Sequence, residues 1–182
     1  VKVLYRSCYS LEKDIGKAYN YEMSLVQDPE DWVCLMDGDV CFLVPCYGAQ
    51  INSIIQSHPD TGMFTCLTNR VGELSQCYSG EISENTDMFQ HHIIARTLQN
   101  DYYSEVKEIT KPISGHLMIM QKKTWDEGFK FEENVGILGV DTLMSRKLLN
   151  AGKKILLMKG VYVFHLYRLG SINPQVQKLH LL

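Results

Sequence analysis

The chain has 182 residues, 45% of them hydrophobic and 21% charged, with 18 basic and 21 acidic side chains and a formal net charge of −3. That length suits a single domain spanning 1–182, and the composition excludes a disordered or collagen-like chain. No apolar run approaches the ~18 residues of a membrane span. Without a basic surplus no nucleic-acid partner is expected, although a local basic pocket for a phosphate is compatible with the charge.

Lys2 to Arg6 (KVLYR) predicts a first strand. Ile15, Tyr19, Met23 and Val26 recur at helical spacing and predict a helix stopped by Asp28-Pro29. Trp32 to Met36 (WVCLM) is a continuous apolar run of strand length, as for a strand buried on both faces. A short helix over Gln50 to Ser57 ends near Pro59, and Met63 to Leu67 predicts a third buried strand. Arg70 to Asp87 carries turn and polar residues. Asp87 to Leu98 (DMFQHHIIARTL) predicts a helix, with the His91 and His92 rings on different faces. Leu117 to Gln121 (LMIMQ) predicts a strand and Gly128 to Val135 an irregular segment. Asp141 to Ala151 predicts a helix with Leu143, Lys147, Leu148 and Ala151 on one side and Gly152 as its stop. Ile155 to Met158 and Val161 to His165 predict two strands about Lys159-Gly160, and the stretch after Arg168 a surface loop. Strands alternating with helices predict an α/β fold.

The six cysteines, Cys8, Cys34, Cys41, Cys46, Cys66 and Cys77, include no C-x-x-C pair. Cys34 and Cys66 lie in apolar runs, where a free thiol acts as a small hydrophobe. With no signal-peptide pattern and no N-x-S/T acceptor, a reduced, cytoplasmic setting is expected.

The sharpest chemical feature is Met36-Asp37-Gly38-Asp39-Val40, a buried apolar strand running into two carboxylates separated by a glycine. Open α/β sheets bind ligands beyond the carboxyl ends of their strands. Two carboxylates there repel one another unless a cation neutralises them, and Mg²⁺ or Mn²⁺ suits carboxylate oxygens together with a substrate phosphate. Gly38 permits a tight turn and leaves room for a ligand. The same letters also describe a solvated Asp-Gly turn. His165 closes an apolar strand and is either a metal ligand or a structural histidine, with Arg168 nearby as a cation suited to phosphate. Asp141, at a helix start, is either a cap or a general base for an acceptor hydroxyl. Ser114-Gly115-His116 precedes a strand and allows close approach of a ligand or is a plain turn. Lys122-Lys123 reads as a solvated pair, and Trp125 and Phe129 as core, with sugar stacking the other option. There is no Walker A loop, G-x-G-x-x-G, H-E-x-x-H or G-x-S-x-G.

Taken in order, these segments resemble GT-A glycosyltransferases of the family 2-like group. Ile15-Gly16-Lys17-Ala18-Tyr19-Asn20 looks like the family's G-x-A-x-N helix, and Asp31 to Val40 like the strand ending in its D-x-D motif. Gly139 to Ile155 (GVDTLMSRKLLNAGKKI) resembles the family's E-D-x-x-L-x-x-R-L-x-x-A-G-x-x-I helix, and the strand ending at His165 its closing V-x-H element. The resemblance implies a compact single-domain mixed sheet flanked by helices. It implies metal-dependent, inverting transfer of a sugar from a UDP- or GDP-linked donor to a glycan or other hydroxyl acceptor. Asp37, Asp39 and His165 would hold Mn²⁺ or Mg²⁺. Arg6, Ser7, Lys17, Gly38 and Arg168 would join Asp37 and Asp39 about the nucleotide and diphosphate. Ser114, Gly115, His116 and Trp125 would border the sugar and acceptor, and Asp141 would be the base. Two positions depart from the family pattern. Only about 30 residues separate the first strand from the D-x-D, where members place a base-reading acidic unit, with Asp14 as its substitute. Val140 stands where members carry a further acid. The alternatives are a metal-dependent nucleotidyltransferase and a non-catalytic nucleotide- or glycan-binding module.

Overall fold

The computed structural model describes residues 1–167. Its strands are β1 (Val3–Ser7), β2 (Trp32–Met36), β3 (Val40–Phe42), β4 (Met63–Thr68), β5 (Val106–Ile109), β6 (Leu117–Gln121) and β7 (Ile155–His165). Its helices are α1 (Ile15–Ser24), α2 (Tyr47–Ser57), α3 (Met88–Asp101), α4 (Lys122–Asp126) and α5 (Val140–Asn150). The strands form one mixed, open seven-stranded sheet in the order β1-β2-β6-β4-β7-β3, with β5 also on β7. The chain is therefore α/β, with helices on both faces of the sheet.

The central strands alternate their side chains between two cores, as the pleat requires. Val33, Leu35, Met118 and Met120 face Tyr19 and Met23 of α1 and Met144 and Leu148 of α5. Trp32, Cys34, Leu117 and Ile119 face Ile51, Ile54 and Ile55 of α2. Ala95 and Leu98 of α3 pack with Tyr162 of β7. The buried face of α5 is Val140, Met144, Ser145 and Leu148, one step round from the expected stripe, and Leu143 is exposed.

Directions fix where chemistry can sit. β1 is parallel to β2, β4 is parallel to β7, and β6 is antiparallel to both β2 and β4. So β1, β2, β4 and β7 all end at one edge of the sheet, and β6 starts there.

The two strands expected about Lys159-Gly160 are one continuous strand, β7. Its register on β4 jumps from Met158 opposite Cys66 to Tyr162 opposite Leu67, a bulge that absorbs the glycine. Gly160 is needed there because a Cβ would lie 2.4 Å from the Tyr102 carbonyl oxygen. β3, β5 and α4 had no periodic signal, being three to five residues long. α2 starts three residues earlier than expected, after Cys46 takes φ 63°. Lys122 is buried rather than solvated, paired with Asp126.

The G-x-A-x-N segment is a clamp. Asn20 donates to the Phe131 carbonyl at 2.9 Å and to Glu133 Oε1 at 2.8 Å, while its Oδ1 accepts from Phe131 N–H at 3.0 Å and Trp125 Nε1 at 2.9 Å. A Cβ on Gly16 would meet the Glu132 carbonyl oxygen at 1.8 Å. Asp14 caps α1 at Lys17 N–H and takes Asn134 N–H at 2.8 Å. Helix α1 thus holds the 131–136 strap that leads to α5. Gly16→Ala is expected to lower stability by about 3 kcal/mol, roughly 10 °C in Tm, read by thermal denaturation; an unchanged Tm would show that the strap yields freely.

Candidate functional site

The turn after β2 carries Asp37, Gly38 and Asp39 past the sheet edge. Asp37 N–H donates to the His116 carbonyl at 3.1 Å, and Leu166 N–H to the Asp39 carbonyl at 3.1 Å. A Cβ on Gly38 would stand 3.4 Å from Ser7 Oγ, so the turn lies close against the end of β1. The β3–β7 ladder sets Val40 opposite His165, which brings the imidazole to the carboxylates. His165 Nε2 lies 3.2 Å from Asp39 Oδ1 and 3.6 Å from Asp37 Oδ2, with the ring 2% exposed and both carboxyl groups more than 40% exposed. Ligand atoms of the three residues lie within 4.8 Å of one another.

The donor set fits a hard divalent cation. His165 Nδ1 is 3.0 Å from the Arg70 carbonyl oxygen, and Nε2 faces Asp39. Both ring nitrogens thus meet acceptors, and a neutral imidazole has only one N–H. Burial pushes the His165 pKa down, against the pull of Asp39. Nδ1–H to the carbonyl leaves the Nε2 lone pair aimed at two carboxylates, an arrangement that a cation relieves. Two carboxylates and one imidazole suit Mn²⁺, with Mg²⁺ favoured less by the nitrogen.

The surroundings of Asp37 favour its protonated form. Burial, then the Asp39 and Asp141 charges, raise its pKa from 3.8 to about 7. A raised carboxyl pKa means the native state holds a proton that the unfolded chain has lost, so this group's contribution to stability falls as pH rises from about 4 to about 7. The buried His116, pushed down from 6.5 to about 3 chiefly by burial, has the opposite slope over much of that range. The difference between variant and wild type isolates Asp37. Asp37→Asn is expected to raise the metal-free Tm by about 3 °C at pH 7.5, the shift of a solvent-screened ~1 kcal/mol, and by little at pH 4. A gap that does not grow with pH, in paired melting curves, would contradict this.

Asp141 faces the same cleft. It lies in the first turn of α5, after Gly139 with φ 88°, and is not the helix cap. Its Oδ2 accepts from Gly115 N–H at 2.7 Å and its Oδ1 from Thr142 N–H at 2.7 Å. Gly115 is required because a Cβ would lie 2.9 Å from Asp141 Cβ. The cleft, of about 250 Å³, is lined by Asp37, Ser114, Gly115, Asp141 and His165, with Tyr19, Ile137 and Leu138 on its apolar wall. The Tyr19 phenol is held protonated by burial and by Asp37 and Asp141 nearby.

Several expected site residues are elsewhere or engaged. Ser114 is at the cleft, but its Oγ accepts from Glu73 N–H at 2.9 Å, and its backbone is gripped by the Gln76 amide at 2.7 and 3.1 Å. His116 lines the cleft yet is buried, stacked on His165 at 5.7 Å, with Nε2 3.8 Å from Cys66 Sγ. Arg6 pairs with Glu22 at 3.1 Å, and Lys17 with Glu12 at 2.8 Å on an exposed helix face outside the cleft. Trp125 is not at the cleft: it bonds Asn20 and lies under the Lys122 and Lys130 ammonium groups. Asp14 is consumed by its cap and Asn134 and is not free to read a base. Arg168 falls outside the described residues. Tyr19 and Gln76 went unread: Tyr19 matched the core stripe of α1, and Gln76 lies in a stretch of turn residues with no motif.

No protein-family model matches the chain, and no curated protein matches its sequence. Among the described residues no helix is long and apolar enough to cross a membrane.

Proposed function

We propose that the chain is a metal-dependent GT-A-type glycosyltransferase that moves a sugar from a UDP- or GDP-linked donor to the hydroxyl of a glycan or other acceptor. The observation that carries this reading is that Asp37 and His165, two members of the Asp37-Asp39-His165 donor set, line one cleft with the Asp141 carboxylate at the carboxyl edge of the sheet. Mn²⁺ or Mg²⁺ held by Asp37, Asp39 and His165 would offset charge building on the leaving diphosphate. At about 250 Å³ the cleft is smaller than the ~300–1,000 Å³ of a pocket for a drug-sized ligand. It takes the sugar ring and leaves the nucleoside on the side of β1, which among the described residues pairs with β2 alone.

Asp141 takes the proton of the acceptor hydroxyl as its oxygen attacks the anomeric carbon and the bond to the diphosphate breaks on the opposite face. The Gly115 and Thr142 N–H groups fix the orientation of the carboxylate, which keeps it ready before substrate arrives. Tyr19, kept protonated and lining the cleft, would serve as a hydrogen-bond donor to a bound sugar.

The test is a thermal-shift screen with UDP, GDP and nucleotide sugars, with and without Mn²⁺, followed by product analysis. Stabilisation by a nucleoside diphosphate that requires Mn²⁺, with a sugar appearing on an acceptor, supports the reading. Pyrophosphate release would reassign the site to nucleotidyl transfer. Nucleotide binding without turnover would make the chain a binding module.

A further inference from the structure

β4 ends at Thr68, which pairs with Val163 of β7. Continuing that ladder would set Arg70 opposite His165. The main chain instead leaves the sheet at Asn69, and the Asn69 side chain takes its place. Asn69 Oδ1 accepts from His165 N–H at 2.7 Å, and Nδ2 donates to the His165 carbonyl at 3.1 Å. A primary amide carries the same donor–acceptor pair as a peptide group, so the side chain extends the sheet where the backbone has departed. Thr68 Oγ1 donates to Asn69 Oδ1 at 3.1 Å and fixes which way the amide points. Asn69 is 1% exposed, so these bonds form away from competing water. The departure of the main chain is also what carries the Arg70 carbonyl round to His165 Nδ1.

We propose that Asn69 is a positioning residue for the metal centre: its amide locks the backbone of His165 from the β4 side while the turn it permits sets the Arg70 carbonyl on Nδ1 and aims Nε2 at the cation. This rests on reading Asp37, Asp39 and His165 as a cation site. Only asparagine serves. Aspartate has no donor for the His165 carbonyl, serine cannot span both backbone groups, and glutamine is one methylene too long for a gap already filled. Outer-shell groups that fix a metal-binding imidazole are worth about 10–100-fold in metal affinity.

The test is Mn²⁺ titration of the whole chain, with free Mn²⁺ read by electron paramagnetic resonance and the metal-free Tm measured alongside. Asn69→Ala and the milder Asn69→Ser are compared with Gln50→Ala. Gln50 is a fully buried amide on α2, outside the cleft, that donates to the Tyr103 carbonyl at 2.9 Å and accepts from Gln99 at 3.1 Å. The expected result is a loss of about 10–100-fold in Mn²⁺ affinity for both Asn69 variants, with wild-type affinity in Gln50→Ala despite a comparable fall in Tm. Should Asn69→Ala fail to fold, Asn69→Ser carries the comparison alone. Wild-type affinity in the Asn69 variants, or an equal loss in Gln50→Ala, overturns the assignment of Asn69 while the cation site stands. Absence of Mn²⁺ binding by the wild type overturns the cation site and the proposal with it.

Discussion

Under the proposed function, Asp39→Asn is expected to remove both the Mn²⁺-dependent rise in Tm and the transfer activity while the fold survives. Asp39 is the carboxylate nearest His165, at 3.2 Å, and it is more than 40% exposed. Its loss therefore opens no cavity, and an asparagine amide can still face the buried His165 Nε2. The amide retains one oxygen but loses the charge that a divalent cation needs from its donor set. The expected fall in Mn²⁺ affinity exceeds the ~10–100-fold cost of an outer-shell change, because a direct ligand is lost. Calorimetry with Mn²⁺ alone reads the binding, circular dichroism reads the fold, and a donor-hydrolysis or transfer assay reads the activity. Activity near the wild-type level with Mn²⁺ present would sink the assignment of Asp39 to the cation.

Asp141→Asn is the second large effect, with the opposite division between binding and turnover. Turnover is expected to drop about 10²–10⁴-fold, the usual worth of a positioned general base, while Mn²⁺ and nucleoside diphosphate still bind. The substitution carries a modest structural cost. Gly115 and Thr142 each point an N–H at one carboxylate oxygen, and an amide can accept from only one of them. A fall of about 3 °C in Tm, the equivalent of ~1 kcal/mol, follows from the lost bond. Steady-state kinetics separates the effects: kcat falls and the donor KM is nearly unchanged. Turnover within tenfold of wild type would remove Asp141 from proton transfer and leave it as a tie between α5 and the segment before β6.

Much of the sheet was legible because its strands announce themselves locally. Trp32–Met36 and Leu117–Gln121 are runs of apolar residues buried on both faces, and the structure places both strands at the expected bounds. α1 follows from Tyr19, Met23 and Val26 at helical spacing. What escaped was short or irregular. Val40–Phe42 has three residues, and Val106–Ile109 exposes its polar middle at the side of β7, so neither shows a period. The division of β7 failed because Lys159-Gly160 reads as a turn when the approach of Tyr102 is invisible.

The candidate site divides in the same way. Asp37, Asp39, Asp141, Ser114, Gly115 and His165 stand out at strand ends and a helix start, and the structure lines one cleft with all of them but Asp39, which lies beside Asp37 and His165. Arg6 and Lys17, which the resemblance sets about the nucleotide and diphosphate, are paired with Glu22 and Glu12. Trp125 was one option for sugar stacking and bonds Asn20 across the strap. A charge or a ring in the sequence carries no record of its partner, because that partner is supplied by another segment.

The sequence by itself determined the α/β class, the main buried strands and the carboxylates at the strand ends, since apolar runs, periodicity and glycine turns are encoded over a few neighbouring residues. The tertiary structure decided which of those carboxylates share a cleft, that His165 meets Asp39 through the β3–β7 register, and that Asn69 substitutes for a strand. Those outcomes depend on strand direction, register and the point at which a main chain leaves the sheet. Each is set by packing between segments far apart in the chain, where free energy is summed over the whole fold.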